Sequence, residues 1–423
     1  MDDAQYERLR SLRRDLHRHP EPAWREFYTT ARLVDELEAT ADELIVGPDF
    51  LDADERMSVP DADTLAEWRE RALDAGADPD TVERIGDGQT GLLAVLERGE
   101  GPTVGLRVDI DGLPREESTD EGHEPVAEGF RSETGAMHAC GHDAHAAIGV
   151  GVFEAIAESD FAGTLKVFFQ PAEEVVGGAK AIEHRHLDDV DYLLAVHIGL
   201  DHPTGEVVAG ITDFLAVSQF HAEFSGEPAH AGGHPAQGRN AVQAMAAAVQ
   251  NLYAIPRNED GPTRINAGVV EGGTASNIIP EHASIEGEVR GETTELMTYM
   301  RERADDVLEH AAGMHDCEWS IERTGEAPSA ENDDELVDLG YDVAGTTPGV
   351  TSRLRTAPLG GSEDATVLLR RVQETGGKAA YVGVGTDHPG GHHTATFDVD
   401  EPSLAIGVDW LSAAIREIAS QRP

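Results

Sequence analysis

Cysteine is scarce: the 423 residues hold two, Cys140 and Cys317, far apart in the chain. A disulfide framework is therefore not what organises the fold, and a reducing compartment is the expected setting. Basic residues are also few. Lysine occurs only as Lys166, Lys180 and Lys378, and Lys plus Arg total 32 against 81 Asp plus Glu, a net charge of −49. Nucleic acid and anionic membrane surfaces would repel such a chain. No apolar run approaches the ~18 residues of a membrane span. The opening Met1-Asp2-Asp3-Ala4 is charged and lacks the apolar segment of a secretory signal. The expectation is a cytoplasmic protein that binds neither nucleic acid nor membrane.

Aromatics are only 5% of the residues, yet 39% are hydrophobic and the acidic residues are dispersed rather than blocked. A disordered acidic chain would concentrate its charge and lack apolar periodicity. A folded protein with an acidic coat is expected. Such a coat suits a halophile's salt-rich cytoplasm, where carboxylates keep the surface hydrated and salt screens their repulsion. The length accommodates two or three domains.

Against that background one stretch stands out: Met137-His138-Ala139-Cys140-Gly141-His142-Asp143-Ala144-His145, followed by a small-residue, helix-compatible run from Ala146 to Ala157. Thiolate, imidazole and carboxylate are the side chains that hold divalent transition metals. Cys140 and His142 are two apart, so in extended chain they would face the same side and could share a site. A redox role for Cys140 fails for want of a second cysteine nearby.

Other polar residues fall where such a site would need them. The apolar runs Thr103–Val108, Thr164–Phe169 and Tyr192–Val196 read as buried strands, and they run into Asp109, Glu173-Glu174 and His197. In an open α/β sheet, ligands gather at the carboxyl ends of the strands. Helices are expected over residues 3–20 and 23–40, then a polar surface excursion over residues 47–88 with a helix near Asp63 to Ala75. From about 213 to 326 the pattern becomes β-α-β-β-α-β, the ferredoxin-like order of an inserted second domain. The α/β pattern then resumes and closes on an amphipathic helix, Pro402 to Ala419.

Four stretches together resemble the M20 metallopeptidase family, in its branch of amidohydrolases that cleave N-acyl and indole-acetyl amino acids. They are Arg13-Arg14-Asp15-Leu16-His17-Arg18-His19-Pro20-Glu21, Met137 to Asp143, Gln170-Pro171-Ala172-Glu173-Glu174, and Gly272-Gly273-Thr274-Ala275-Ser276-Asn277-Ile278-Ile279-Pro280. Ala195 to Gly199, Gly361 to Thr366 and Gly391-His392-His393 ahead of Phe397 are most similar to the members that cleave p-aminobenzoyl-glutamate. The resemblance implies an α/β metallopeptidase domain, residues 1–212 and 327–423, with a mainly parallel sheet flanked by helices. It also implies that the inserted ferredoxin-like α+β domain, residues 213–326, is a lid and dimerisation domain.

It further implies two divalent metal ions (Zn, Mn or Co) held by Cys140, His142, Glu174, His197 and His393, with Glu173 as general base. His393 is taken over His392 because the family's ligand lies four residues before the aromatic, here Phe397. Cys140 would sit between the metals, His142 and Glu174 on one, His197 and His393 on the other. His230, Asn277 and Arg290 would hold the substrate carboxylate or the oxyanion, partly across a homodimer. The expected substrate is a small N-acyl amino acid with an aromatic acyl group, p-aminobenzoyl-glutamate favoured, and a second homologous subunit is a possible partner. The alternatives are an aminopeptidase or carboxypeptidase of the same fold, and a non-catalytic metal-binding homologue. Loss of Glu173 would mark the latter, and Glu173 is present.

Overall fold

The computed structural model describes residues 1–388 and 390–420. Before residue 213 the order is α1 (Asp3–Arg18), α2 (Phe27–Leu37), β1 (Glu43–Val46), α3 (Ala62–Asp74), α4 (Pro79–Ile85), β2 (Leu92–Glu97), β3 (Thr103–Asp109), α5 (Glu124–Glu128), α6 (His142–Ala157), β4 (Thr164–Gln170), α7 (Gly178–Ile182), β5 (Tyr192–Ile198), β6 (Glu206–Val208) and β7 (Ile211–Thr212). Then come β8 (Ala216–Ser225), α8 (Ala241–Leu252), β9 (Thr263–Gly272), β10 (His282–Gly291), α9 (Thr294–Met314) and β11 (Glu318–Ala327). The chain continues with α10 (Asp334–Ala344), β12 (Ser352–Leu354), β13 (Ala357–Pro358), α11 (Ala365–Glu374), β14 (Lys378–Val384) and α12 (Pro402–Ser420). Two compact units result. One comprises Met1–Thr212, Ala330–Leu359 and the chain from Asp364 on; the other comprises Asp213–Ser329 and Gly360–Glu363.

The first unit is built on an eight-stranded sheet of order β1-β2-β4-β3-β5-β14-β6-β12. Its centre is parallel: β3 pairs with β4 and β5, and β5 with β14. Antiparallel pairings, β1 with β2, β2 with β4 and β14 with β6, lie outside that centre, so the sheet is mixed. Central strands covered on both faces need continuous apolar runs. Those of β4 and β5 are buried from their second residue to their last. Helix α6 packs on β3 and β4 and against α1 and α12. Every residue of α6 from His142 to Phe153 is buried, which accounts for its alanines and glycines: a helix buried all round has little room for large side chains.

The stretch over residues 47–88 is more than a surface excursion. Phe50, Leu51, Leu65, Val82 and Ile85 are buried, and the Trp24 indole donates to the Met57 carbonyl at 2.7 Å. Polar composition hid these anchors because they stand singly or, as Phe50-Leu51, in one short pair among charges.

The second unit has the order β-α-β-β-α-β, with an antiparallel sheet β11-β8-β10-β9. Helices α8 and α9 pack together and onto the sheet, and the core includes Phe220, Phe224, Ile285, Met300 and Leu308. Strand β9 is an edge strand, and its Val269 and Val270 are exposed.

Candidate metal centre

The carboxyl ends of the parallel strands carry the chemistry. Strand β3 ends at Asp109 and is followed by Asp111, β4 runs into Pro171-Ala172-Glu173-Glu174, and β5 contains His197 near its end. Between these strands the chain enters α6 through Cys140-Gly141-His142. Gly141 is the N-cap, at φ 86°, and a Cβ there would lie 2.5 Å from the Ile198 side chain. Only glycine fits both the left-handed backbone and that approach. A turn, rather than the extended chain expected from spacing, therefore brings Cys140 and His142 together. The glutamate pair is likewise on a turn, opened by Ala172 at φ 57°.

Donor atoms of Cys140, His142 and His197 lie within 4.8 Å of one another, as do those of Cys140, Glu174 and His393, and those of His142, Glu173 and Glu174. The Cys140 thiol is 3.3 Å from His197 Nε2. His393 Nε2 is 3.5 Å from Glu174, and His142 Nε2 is 4.0 Å from the same carboxylate. Cys140 is thus common to two groupings, and the shortest distances pair His393 with Glu174 rather than with His197.

The imidazoles are pre-oriented. His142 Nδ1 donates to the Asp111 carbonyl at 2.9 Å, and His197 Nδ1 to the Ile198 carbonyl at 2.7 Å. Once neutral, each ring therefore presents an unprotonated Nε2, the form a metal takes. His142 Nε2 is buried and makes no hydrogen bond among the described residues. One thiol, three imidazoles and two carboxylates, with a buried nitrogen left open, fit divalent metal ions. Burial pushes the Cys140 thiol well up, Glu174 adding to the effect, and pushes His197 well down, with His145 and His392 adding. Burial also opposes charge on His142, but Asp109, Asp111 and Cys140 together outweigh it and hold His142 up. The negative field that favours a proton there equally favours a cation.

A further grouping, Asp109, His142 and His145, is not a metal site. His145 Nδ1 bonds Asp109, and its Nε2 accepts the Ile198 N–H at 2.7 Å, so both nitrogens are used. Arg107 braces Asp109 at 2.6 Å and Asp364 at 3.0 Å. His392 packs on Phe397 and turns Nε2 to the Ile198 carbonyl at 3.3 Å. The neighbouring His393, at φ 61°, faces Glu174 instead.

Beneath the centre lies a buried ionic cluster. Arg13 from α1 pairs with Asp143 at 2.8 Å and with Asp398, and His17 bonds Asp143 at 2.8 Å and Glu117 at 3.0 Å. Burial and Arg13 oppose charge on His17, but Asp143 and Glu117 outweigh them and push it up to about 9. A folded-state value above the ordinary one gives stability that is complete below about pH 6.5 and lost as pH rises through about 9. The displacement corresponds to roughly 3 kcal/mol. Glu21 and Glu26, both pushed by burial to about 8, act in the same direction. Denaturant melts between pH 6 and 10 should therefore fall for the wild type and fall less steeply for His17→Gln. Parallel profiles would show that His17 is neutral in the folded protein.

A model of peptidase family M20/M25/M40 matches residues 105–417. The chain belongs to that family. This M20 chain is 41% identical over 416 residues to indole-3-acetyl-aspartic acid hydrolase of Enterobacter agglomerans, covering 97% of this chain and 95% of that one. It is 38% identical over 411 residues to one of the subunits of p-aminobenzoyl-glutamate hydrolase from Escherichia coli (strain K12), covering 96% and 94%. The crystal structure of an aminobenzoyl-glutamate utilization protein from Klebsiella pneumoniae superposes with a TM-score of 0.85 at 36% identity, over 99% of this chain and 98% of that one.

The remaining residues singled out from sequence lie in the second unit of this M20 chain. His230 bridges to Ile278, the Asn277 carbonyl accepts the Ala231 N–H at 3.0 Å, and His230 and Asn277 are both exposed. His230 Nδ1 accepts the N–H groups of Gly232 and Gly233 at 3.1 Å, which makes Nε2 the donating nitrogen. Arg290 stands at the opposite end of β10, its guanidinium on both oxygens of Glu288 and 3.3 Å from Ser362. Sequence reading gave no role to Asp111, Glu26, His145 or Arg13, although His145 and Arg13 stand inside the stretches quoted above. The one signal for Asp111 was its spacing from Asp109 at a strand end.

Proposed function

We propose that the chain hydrolyses the amide bond of N-acyl amino acids at a centre of two divalent ions. The observation that carries this reading is the convergence of Cys140, His142, His197, His393, Glu173 and Glu174 at the carboxyl ends of parallel strands. Mixed sulfur, nitrogen and oxygen donors suit Zn, Mn or Co rather than Mg. Such ions polarise a carbonyl and lower the pKa of water to about 7. Glu173 is the base that takes the attacking water's proton and passes it to the leaving nitrogen. Cys140, His142, Glu174, His197 and His393 are the ligands.

The names of the two curated relatives support an aromatic acyl group joined to aspartate or glutamate, and p-aminobenzoyl-glutamate is the substrate we favour. His230 Nε2 and Asn277 are assigned to the substrate's carboxylate or to the oxyanion. Arg290 takes such a role by exchanging the Glu288 carboxylate for the substrate's. A homodimer is favoured because the exposed edge strand β9 offers Val269 and Val270, 44% and 49% accessible, for pairing with a second copy. No helix among the described residues is long and apolar enough to cross a membrane. A cytoplasmic setting rich in salt is the one the acidic coat suits.

The test is a substrate panel at molar KCl with protein stripped of metal and then reloaded with Zn, Mn or Co. The panel holds p-aminobenzoyl-glutamate, indole-3-acetyl-aspartate, their side-chain and α-amides, and free dipeptides. Activity is expected only after reloading and chiefly on the N-acyl amino acids. Full activity after verified stripping, or preference for free dipeptides, would overturn the reading, the second in favour of a peptidase.

A further inference from the structure

Three successive backbone N–H groups on the turn that carries the glutamate pair are each taken by a buried carboxyl group. Ala172 N–H donates to Glu26 at 2.9 Å, Glu173 N–H to one oxygen of Asp111 at 3.0 Å, and Glu174 N–H to the other at 3.0 Å. Asp111 is 1% exposed and Glu26 fully buried. The turn needs the hold: Ala172 lies at φ 57°, a region that costs a residue with a side chain about 1–2 kcal/mol. Asp111 has a second task, since its own carbonyl accepts from His142 Nδ1 and so fixes which nitrogen that ring presents.

We infer that Asp111 is a positioning residue that sets the base and two metal ligands in one geometry: its carboxylate holds the backbone of Glu173 and Glu174, and its carbonyl holds His142. The inference rests on the metal-centre reading above. It extends that reading to a residue outside the six assigned to the centre. A carboxylate bridging two adjacent amides cannot be copied by asparagine. In Asp111→Asn the side chain would offer one oxygen to one N–H and set an NH2 group against the other. The hold on His142 through the main chain would remain. Residues that orient ligands in this way typically carry about 10–100-fold of metal affinity or activity.

Two readouts test this. Hydrogen exchange of the metal-free wild type should find the amides of residues 172–174 protected, and Asp111→Asn should lose protection at 173 and 174 while the central strands keep theirs. Chelator competition with Zn should give Asp111→Asn a dissociation constant about 10–100-fold above wild type, with kcat falling more than KM changes. Unprotected amides at 173 and 174 in the wild type overturn the inference whether or not any variant folds. So does an Asp111→Asn protein with wild-type exchange and wild-type Zn affinity. Wild type that takes up no Zn, Mn or Co overturns the metal reading instead, and the exchange comparison then still decides whether Asp111 holds the turn.

Discussion

Glu173→Gln is expected to keep its metal and lower kcat by about 10²–10⁴-fold, the range carried by a positioned general base. The amide has nearly the size of the carboxylate and can still pack at this 7% exposed position, but it cannot take a proton. Glu174→Gln should differ in kind. Glu174 faces His393 at 3.5 Å and shares groupings with Cys140 and His142, so its loss removes a charged donor from the metal side. Metal content measured on both variants separates the roles. Wild-type metal in Glu174→Gln with depleted metal in Glu173→Gln would mean that the two assignments are exchanged.

Arg13→Ala should cost about 3–5 kcal/mol of stability, because it leaves carboxylates buried without their cation. Asp143 and Asp398 are at most 4% exposed and Arg13 is 1% exposed, so water cannot replace the lost charge. Adding Asp143→Asn to Arg13→Met should recover part of the loss, since removing both members of a buried pair costs less than removing one. Denaturant unfolding measures both. A loss below about 1 kcal/mol for Arg13→Ala would place the cluster with the weak, solvent-screened ion pairs.

Much of this architecture was legible in the chain. Strands β4 and β5 announce themselves because both faces are covered and nearly every position between their ends is apolar, Lys166 being the exception in β4. The β-α-β-β-α-β unit was readable because its strands run ten residues each and its helices keep one apolar face. By contrast β1, β6, β7, β12 and β13 are two to four residues long, too short for any period to register. The ligand-type residues were visible as side chains of the right chemistry at strand ends. What the sequence hid were contacts to backbone: nothing in the letters Asp111 or Glu26 tells that they grip main-chain N–H groups sixty or more positions away. Nor does alanine signal a left-handed turn, since that conformation is imposed at residue 172 by its surroundings.

The ion cluster also sets an order of assembly. Arg13 stands in the first helix, whereas Asp398 lies just before the last, and β14, the strand that completes the parallel centre beside β5, follows the whole second unit in sequence. On the ribosome, β5 is finished long before its neighbour exists. Pairings of such sequence separation carry a loop-closure cost before they return any contact energy, and they fold slowly. The nascent chain therefore waits with one edge of an apolar sheet unpaired, the state in which multi-unit proteins aggregate. The carboxylates spread along the chain, 81 Asp and Glu in all, suit such half-made copies too, since each keeps its stretch of surface hydrated where salt screens long-range repulsion.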